Sequence, residues 1–467
     1  VTVQGAGAGG TYTIDNTQPT AGTNFASFTA AITFLNSSGQ CGAFTGPHIF
    51  NVAAGQIFNE LPPSITAIGT ATNPITFQKS GAGVNPKIVA TGTTGTSDQV
   101  LGTQNGADYL TFDGIDIGVT GTAVEFGFLF RNASGGVNGA SNNTIKNSTI
   151  TLDRTNISSI GIYIDGAFNF PNSQAGTNND NLIEFVTVQN SSRGIFINSN
   201  SSTYPGLNNK VLNSTVGAAT AADIGVGTTA AYGIYFNLQM DGVISGNLVQ
   251  NIAATAFNRG IWYAGARGVS VISNNKINGV RNSGTASTSG QRGIEVGGST
   301  VGTGVDLRVF NNFVSNITSA YTGVASATRV LQGILVSTAG ANLTYNIDHN
   351  NVSIDGSGSL NVSSVALEFA ATTSVNKARN NVLANFTADQ TAGGVAKHYV
   401  IRSGLATGLG AAGSVSNYND LFLAFSVNGF IGLASTTDHA TKESWTTATG
   451  QDAQSITVDP LFVNNTT

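Results

Sequence analysis

The chain has 467 residues, 40% hydrophobic but only 9% charged, against about 25% charged in ordinary soluble domains. It carries 59 Gly and 50 Asn against 19 Lys plus Arg, with a formal net charge of -5. That balance excludes a basic nucleic-acid footprint and a polybasic patch for anionic lipid, and no apolar run is long enough to span a bilayer. The recurring Val, Ile and 25 Phe exclude disorder. A single cysteine, Cys41, allows no internal disulfide.

In chain order, the first predicted element is a helix over 24–35, with Phe25, Phe28, Ile32 and Leu35 on one side, Asn24 as N-cap and Gly39 past its end. From residue 161 a short strand recurs: GIYI at 161–164, GIFI at 194–197, GIYF at 233–236, GIWY at 260–263, GIEV at 293–296, GILV at 333–336 and ALEF at 366–369. Between these fall Asn pairs, Asn274-Asn275, Asn311-Asn312, Asn350-Asn351 and Asn380-Asn381, each next to another apolar strand. A cycle of strand, variable loop, strand, Asn turn and strand predicts a right-handed parallel β-helix, one coil per cycle. Asn suits the corners because it tolerates the left-handed conformation and its amide can bond to an Asn in the next coil. A second short helix is expected near 438–448, around Trp445. The expected layout is an N-terminal capping region over 1–48, the β-helix over 49–425 and a C-terminal coil or cap over 426–467. No clear polar cap is read at that last end, so a partner, another copy or a following domain is expected to cover it.

Certain segments carry a resemblance, among them NFASFTAAITFLNSSGQCG (24–42), NPITFQKSGAGVNPKI (73–88), YLTFDGIDI (109–117), GSVSNYNDLFLA (413–424) and GQDAQSITVDPLFVN (450–464). Together they resemble large secreted β-helix surface proteins of bacteria that use type IX secretion, within the pectin-lyase-like β-helix class. The resemblance implies an extracellular or cell-surface location and a longer precursor. It brings no catalytic motif to carry over.

The catalytic vocabulary of pectin-type hydrolases and pectate lyases is missing, and no zinc, EF-hand or calcium-repeat spacing occurs, so neither cofactor nor metal is expected. Asp348-His349 is the nearest approach to a lyase string and reads as part of a hydrogen-bonded turn. In the recurring strand, period-two geometry turns the middle residue outward. Stacked coils then align Tyr163, Phe196, Tyr235 and Trp262, continued by Glu295, Leu335 and Glu368. The four aromatics form either a carbohydrate platform or a surface that the variable loops cover. The expected function is a non-enzymatic extracellular surface, adhesive or matrix protein, glycan-binding or self-assembling through copies of itself. The alternative is a polysaccharide lyase or glycoside hydrolase with Glu295 and Glu368 as its carboxylates. An outward cluster of Asp, Glu, Arg or Lys in one groove would favour the enzyme.

Overall fold

The computed structural model describes residues 7–39, 44–95, 97–219, 222–301, 304–324, 326–355, 361–387, 395–425 and 427–462; Cys41 lies outside them. The chain forms two compact units, Val1–Ile224 with Ile234–Val243, and Gly225–Gly233 with Ile244–Thr467. Each unit is a parallel β-helix built from three sheets.

One coil of the second unit illustrates the construction. Asn258–Ala266 lies in the third sheet, Val269–Ser273 in the first and Lys276–Asn282 in the second. Each strand pairs in parallel with its counterpart one coil on: Ile261 with Ile294, Ile272 with Val309, Ile277 with Val314. These inward residues are fully buried and form the core. Burying an aliphatic side chain of this size stabilises by about 1.5–3 kcal/mol.

The glycine that opens the repeat has a packing reason. A Cβ at Gly260 would collide with Ile277, and one at Gly293 with Val314, across the coil. The pairing skips these glycines, joining Arg259 to Arg292 and then Ile261 to Ile294. Gly260 and Ile261 both turn toward the core, which interrupts the alternation, and Arg259 and Trp262 share the outer side although they are three residues apart.

Asparagine ladders close the corners. In the second unit, the backbone N–H of Asn247 donates to the side-chain oxygen of Asn275, and Asn275, Asn312, Asn350 and Asn381 repeat the step up to Asn419 at 2.9–3.1 Å. The residue before each is left-handed: Asn274, Asn311, His349, Asn380 and Tyr418. The 350–351 pair is thus displaced by one residue from the expected register, His349 taking the turn and Asn350 the ladder. The first unit has a second ladder, at the entry to the first sheet, running through Asn143, Asn181 and Asn209.

Both ends differ from expectation in detail. The N-terminal helix, α1, spans Phe28–Gly39, not 24–35. Asn24 instead extends a strand beside Thr13, its amide donating to the carbonyls of Asp15, Gln18 and Pro19. Ser27 caps the helix by accepting from the Ala30 N–H at 3.0 Å, and the Glu60 carboxylate accepts from the N–H groups of Phe28 and Thr29 at 2.8 Å. An anion suits the positive helix start. Phe28, Ile32 and Leu35 are fully buried. At the other end a cap is present. After Gly429–Ala434 the chain returns as an antiparallel strand, Thr437–His439, and α2 (Lys442–Thr449) packs the fully buried Trp445 against Gly432. Thr441 and Ser444 form its capping box.

Candidate functional site

The outward column of the third sheet exists within each unit. In the first, Tyr163 pairs with Phe196 and Phe196 with Tyr235. Their rings stack on one another, with centroids 4.8 and 4.4 Å apart and planes within 16° and 20° of parallel. Ring faces that meet each other are closed to a sugar, which stacks on a free face. Tyr163 and Phe196 also pack on Phe126, Leu129 and Ile160. Burial, then the neighbouring Asp165 carboxylate, pushes the Tyr163 phenol well above its ordinary pKa.

In the second unit the column runs Trp262, Glu295, Leu335, Glu368, Arg402. The Arg259 guanidinium lies 4.1 Å over the Trp262 ring. Glu295 is 6% exposed and bonds to Arg259 and Arg292; Glu368 is 3% exposed and bonds to Arg329, Arg402 and Gln332. The Arg292 Nε donates to Gln332 at 2.8 Å, joining the two carboxylates into one network. Burial lowers the Arg402 pKa, with Glu368 opposing. Two coils set Glu295 and Glu368 about 9–10 Å apart along the axis. Both Glu368 oxygens are held by guanidiniums, whereas Arg259 and Arg292 both bond to Glu295 Oε2, and breaking one such buried pair costs about 3–5 kcal/mol. The arrangement orders the outer face of this sheet. It ties both oxygens of Glu368 and one oxygen of Glu295 into ion pairs.

A different cluster lines a groove. On the first sheet of the second unit, the strands Val305–Phe310, Leu343–Asp348 and Val375–Arg379 alternate buried with outward residues, and most of the outward ones are polar. Register aligns Arg308, Asn346 and Lys377 in one outward column, and Phe310, Asp348 and Arg379 in the next. With Asp306, Thr344, Asn311 and His349 these residues line a groove of about 580 Å³. Asp306 accepts from Arg308 at 2.6 and 2.9 Å and from Asn346 at 2.7 Å. Asp348 accepts two parallel bonds from Arg379, at 3.0 and 2.6 Å. These bonds raise the pKa of Arg308 and of Arg379. Lys377 has no carboxylate partner among the described residues. The three cations Arg308, Lys377 and Arg379 therefore exceed the two carboxylates by one charge. His349, exposed at the corner, has its Nε2 3.4 Å from the Asn380 amide.

The expected turn role of Asp348-His349 describes the backbone, since His349 is left-handed there. That the same turn borders a charged groove was not read from the sequence. The signal was available: VDLRVF, LTYNID and VNKAR place charged residues at alternate positions of consecutive strands. A left-handed residue other than Gly or Asn costs roughly 1–2 kcal/mol, which folding has to offset. Tyr418 carries that cost at the same corner, two coils beyond His349, while 61% exposed. Among the described residues, no three His, Cys, Asp or Glu side chains converge as a metal site.

No protein-family model matches the chain, and no curated protein matches it. Solved structures do. It is similar to a GH136 lacto-N-biosidase from Eubacterium ramulus (TM-score 0.50, 12% identity, covering 84% of this chain and 66% of that one). It is also similar to the Dettilon tailspike protein (0.46, 15%, 90% and 68%) and to an alginate lyase from Paenibacillus (0.42, 16%, 68% and 95%). At these identities the likeness establishes the fold. These neighbours are parallel β-helix proteins of the pectin-lyase-like kind. No helix among the described residues is long and apolar enough to cross a membrane.

Proposed function

We propose that this protein is an extracellular polysaccharide-acting β-helix that engages an acidic glycan in the groove lined by Asp306, Arg308, Asp348, His349, Lys377 and Arg379. The observation that carries this reading is the convergence of these outward charges in one groove, with Lys377 left without a carboxylate partner. Arg308 and Lys377 occupy the same column two coils apart, a placement suited to successive acidic groups on an extended chain. The chemistry favoured is lyase-type elimination. Hydrolysis requires an acid and a base from two available carboxylates, whereas Asp306 and Asp348 are both bound to arginines. Elimination requires a cation to neutralise the sugar carboxylate, which Lys377 supplies, and a group to remove the adjacent proton, which His349 supplies. His349 takes the proton as the C–H bond breaks, a carbon–carbon double bond forms, and the glycosidic C–O bond breaks with its oxygen protonated from solvent. The extracellular location is supported by the resemblance to type IX-secreted surface proteins.

The second reading, a non-enzymatic surface protein that binds such a glycan, is favoured by the ion pairs that hold Glu295 and Glu368 and by the scarcity of charge over the whole chain. One experiment separates the two. Wild type, Lys377→Ala and His349→Asn are tested for binding to alginate and polygalacturonate and for release of unsaturated ends. Lys377→Ala is expected to weaken binding roughly tenfold, and binding is expected to fall with added salt, because the contact is ionic and open to solvent. His349→Asn keeps a residue suited to the turn and is expected to bind without turnover. Binding by wild type with no product supports the second reading. No binding to either polymer rejects both.

A further inference from the structure

Tyr418 follows Asn417 as Asn380 follows Arg379, His349 follows Asp348 and Asn311 follows Phe310, and the strands that carry them pair in that register. All four corner residues are left-handed, with φ of 55–57°. Asn is the residue the corner favours, since its short amide bonds locally in this conformation. A tyrosine there is strained, and strain in a bulky residue persists only when its surroundings impose it. They do so here. Asn417 and Gln454 bond to each other in both directions, and Asn419 is held by Ser416, Asp452, Ser455 and the carbonyl of Ala378.

The strain is not offset by packing. Tyr418 is 61% exposed and makes no ring contact or hydrogen bond among the described residues. Its ring differs in this from Tyr163, Phe196 and Tyr235, whose faces meet one another. Asn417 lies one coil beyond Arg379, the last lining residue of the charged groove. An exposed aromatic face one coil past a row of sugar-sized polar positions matches the C–H face of a pyranose ring.

We infer that Tyr418 is a sugar-stacking subsite that lengthens the groove by one coil, so that the glycan runs across successive coils with its charged part on Arg308, Lys377 and Arg379 and a further ring on Tyr418. The assignment rests on the reading of the groove as a glycan site. It predicts opposite effects on folding and on binding. Tyr418→Asn restores the residue the corner prefers and raises the melting temperature. It also lowers affinity for alginate or polygalacturonate hexasaccharides roughly tenfold, equivalent to ~1.4 kcal/mol, and leaves disaccharide affinity unchanged. Tyr418→Phe keeps the ring and binds hexasaccharides like wild type. Phe185→Asn makes the same exchange at a left-handed, 55% exposed corner of the other unit, and is expected to stabilise without altering binding. Tyr418→Asn with wild-type hexasaccharide affinity overturns the subsite. If Tyr418→Asn loses affinity while Lys377→Ala does not, the subsite stands and the charged groove is rejected. No oligomer bound by wild type rejects both.

Discussion

The fully buried Asn312 side chain makes five hydrogen bonds: it donates to Asn350, Ile272 and Phe310, and it accepts from the backbone and the amide of Asn275. Truncation to alanine strands the Asn275 N–H and takes the amide donor from the Ile272 and Phe310 carbonyls, of which Phe310 keeps the Asn274 N–H. Each unsatisfied buried group costs about 1–3 kcal/mol, so Asn312→Ala is expected to destabilise by about 3–5 kcal/mol. Asn311→Ala, at the exposed left-handed neighbour, is expected to cost only about 1 kcal/mol. Chemical denaturation of both variants checks the contrast, and equal losses would remove the ladder's special standing. Composition made Asn conspicuous, and the pairs marked the corners. Which member of a pair turns and which one stacks was not legible, because either residue type tolerates both environments; His349 before Asn350 exposes the ambiguity.

Among elements, the strand of the third sheet whose alternation breaks at its glycine separates what the sequence disclosed from what it hid. Strict alternation placed Trp262, Glu295 and Glu368 outward, and they are outward. Extended backward, the same alternation would turn Arg259 and Arg292 inward. Two consecutive inward residues, Gly260-Ile261 and Gly293-Ile294, reverse that parity and deliver both arginines to Glu295. An ion pair between residues 292 and 295 is foreign to a regular strand, so no period-two reading could find the network. A glycine in a strand interior is normally improved by alanine, by roughly 0.5–1 kcal/mol. Gly293→Ala is expected to do the reverse, losing roughly 1–3 kcal/mol through overpacking against Val314. Val314→Ala in the same chain should recover part of the loss, and thermal melts of the single and double variants test the coupling. The groove of the first sheet was hidden for another reason: its charges come from three strands some 30–40 residues apart, and only register unites them.

For the whole molecule, two buried titrating groups act in opposite directions. Burial lowers the pKa of His398 to about 4, and its Nδ1 lies 3.0 Å from the Ser364 hydroxyl. The unfolded chain takes up that proton near pH 6.5, so His398 stabilises fully above that value and progressively less as pH falls to about 4, a difference of ~3 kcal/mol. Burial raises the pKa of Asp108 to about 6, against the opposing bond from the Ser141 N–H. Its contribution is present at low pH and is lost as pH rises through about 6, and it is smaller because the carboxyl keeps some solvent. Between pH 4 and 6 the two partly cancel. His398→Gln should leave stability falling with pH across that window, and Asp108→Asn should steepen its rise; unfolding measured at several pH values in both variants decides. The ladder from Asn247 to Asn419 has a consequence for inheritance. Every interior rung offers the same acceptor on one side and the same donors on the other, so a stretch of chain between two rungs can be lost or duplicated and the flanking rungs still join. A coil can therefore be added or removed without a new corner having to be built.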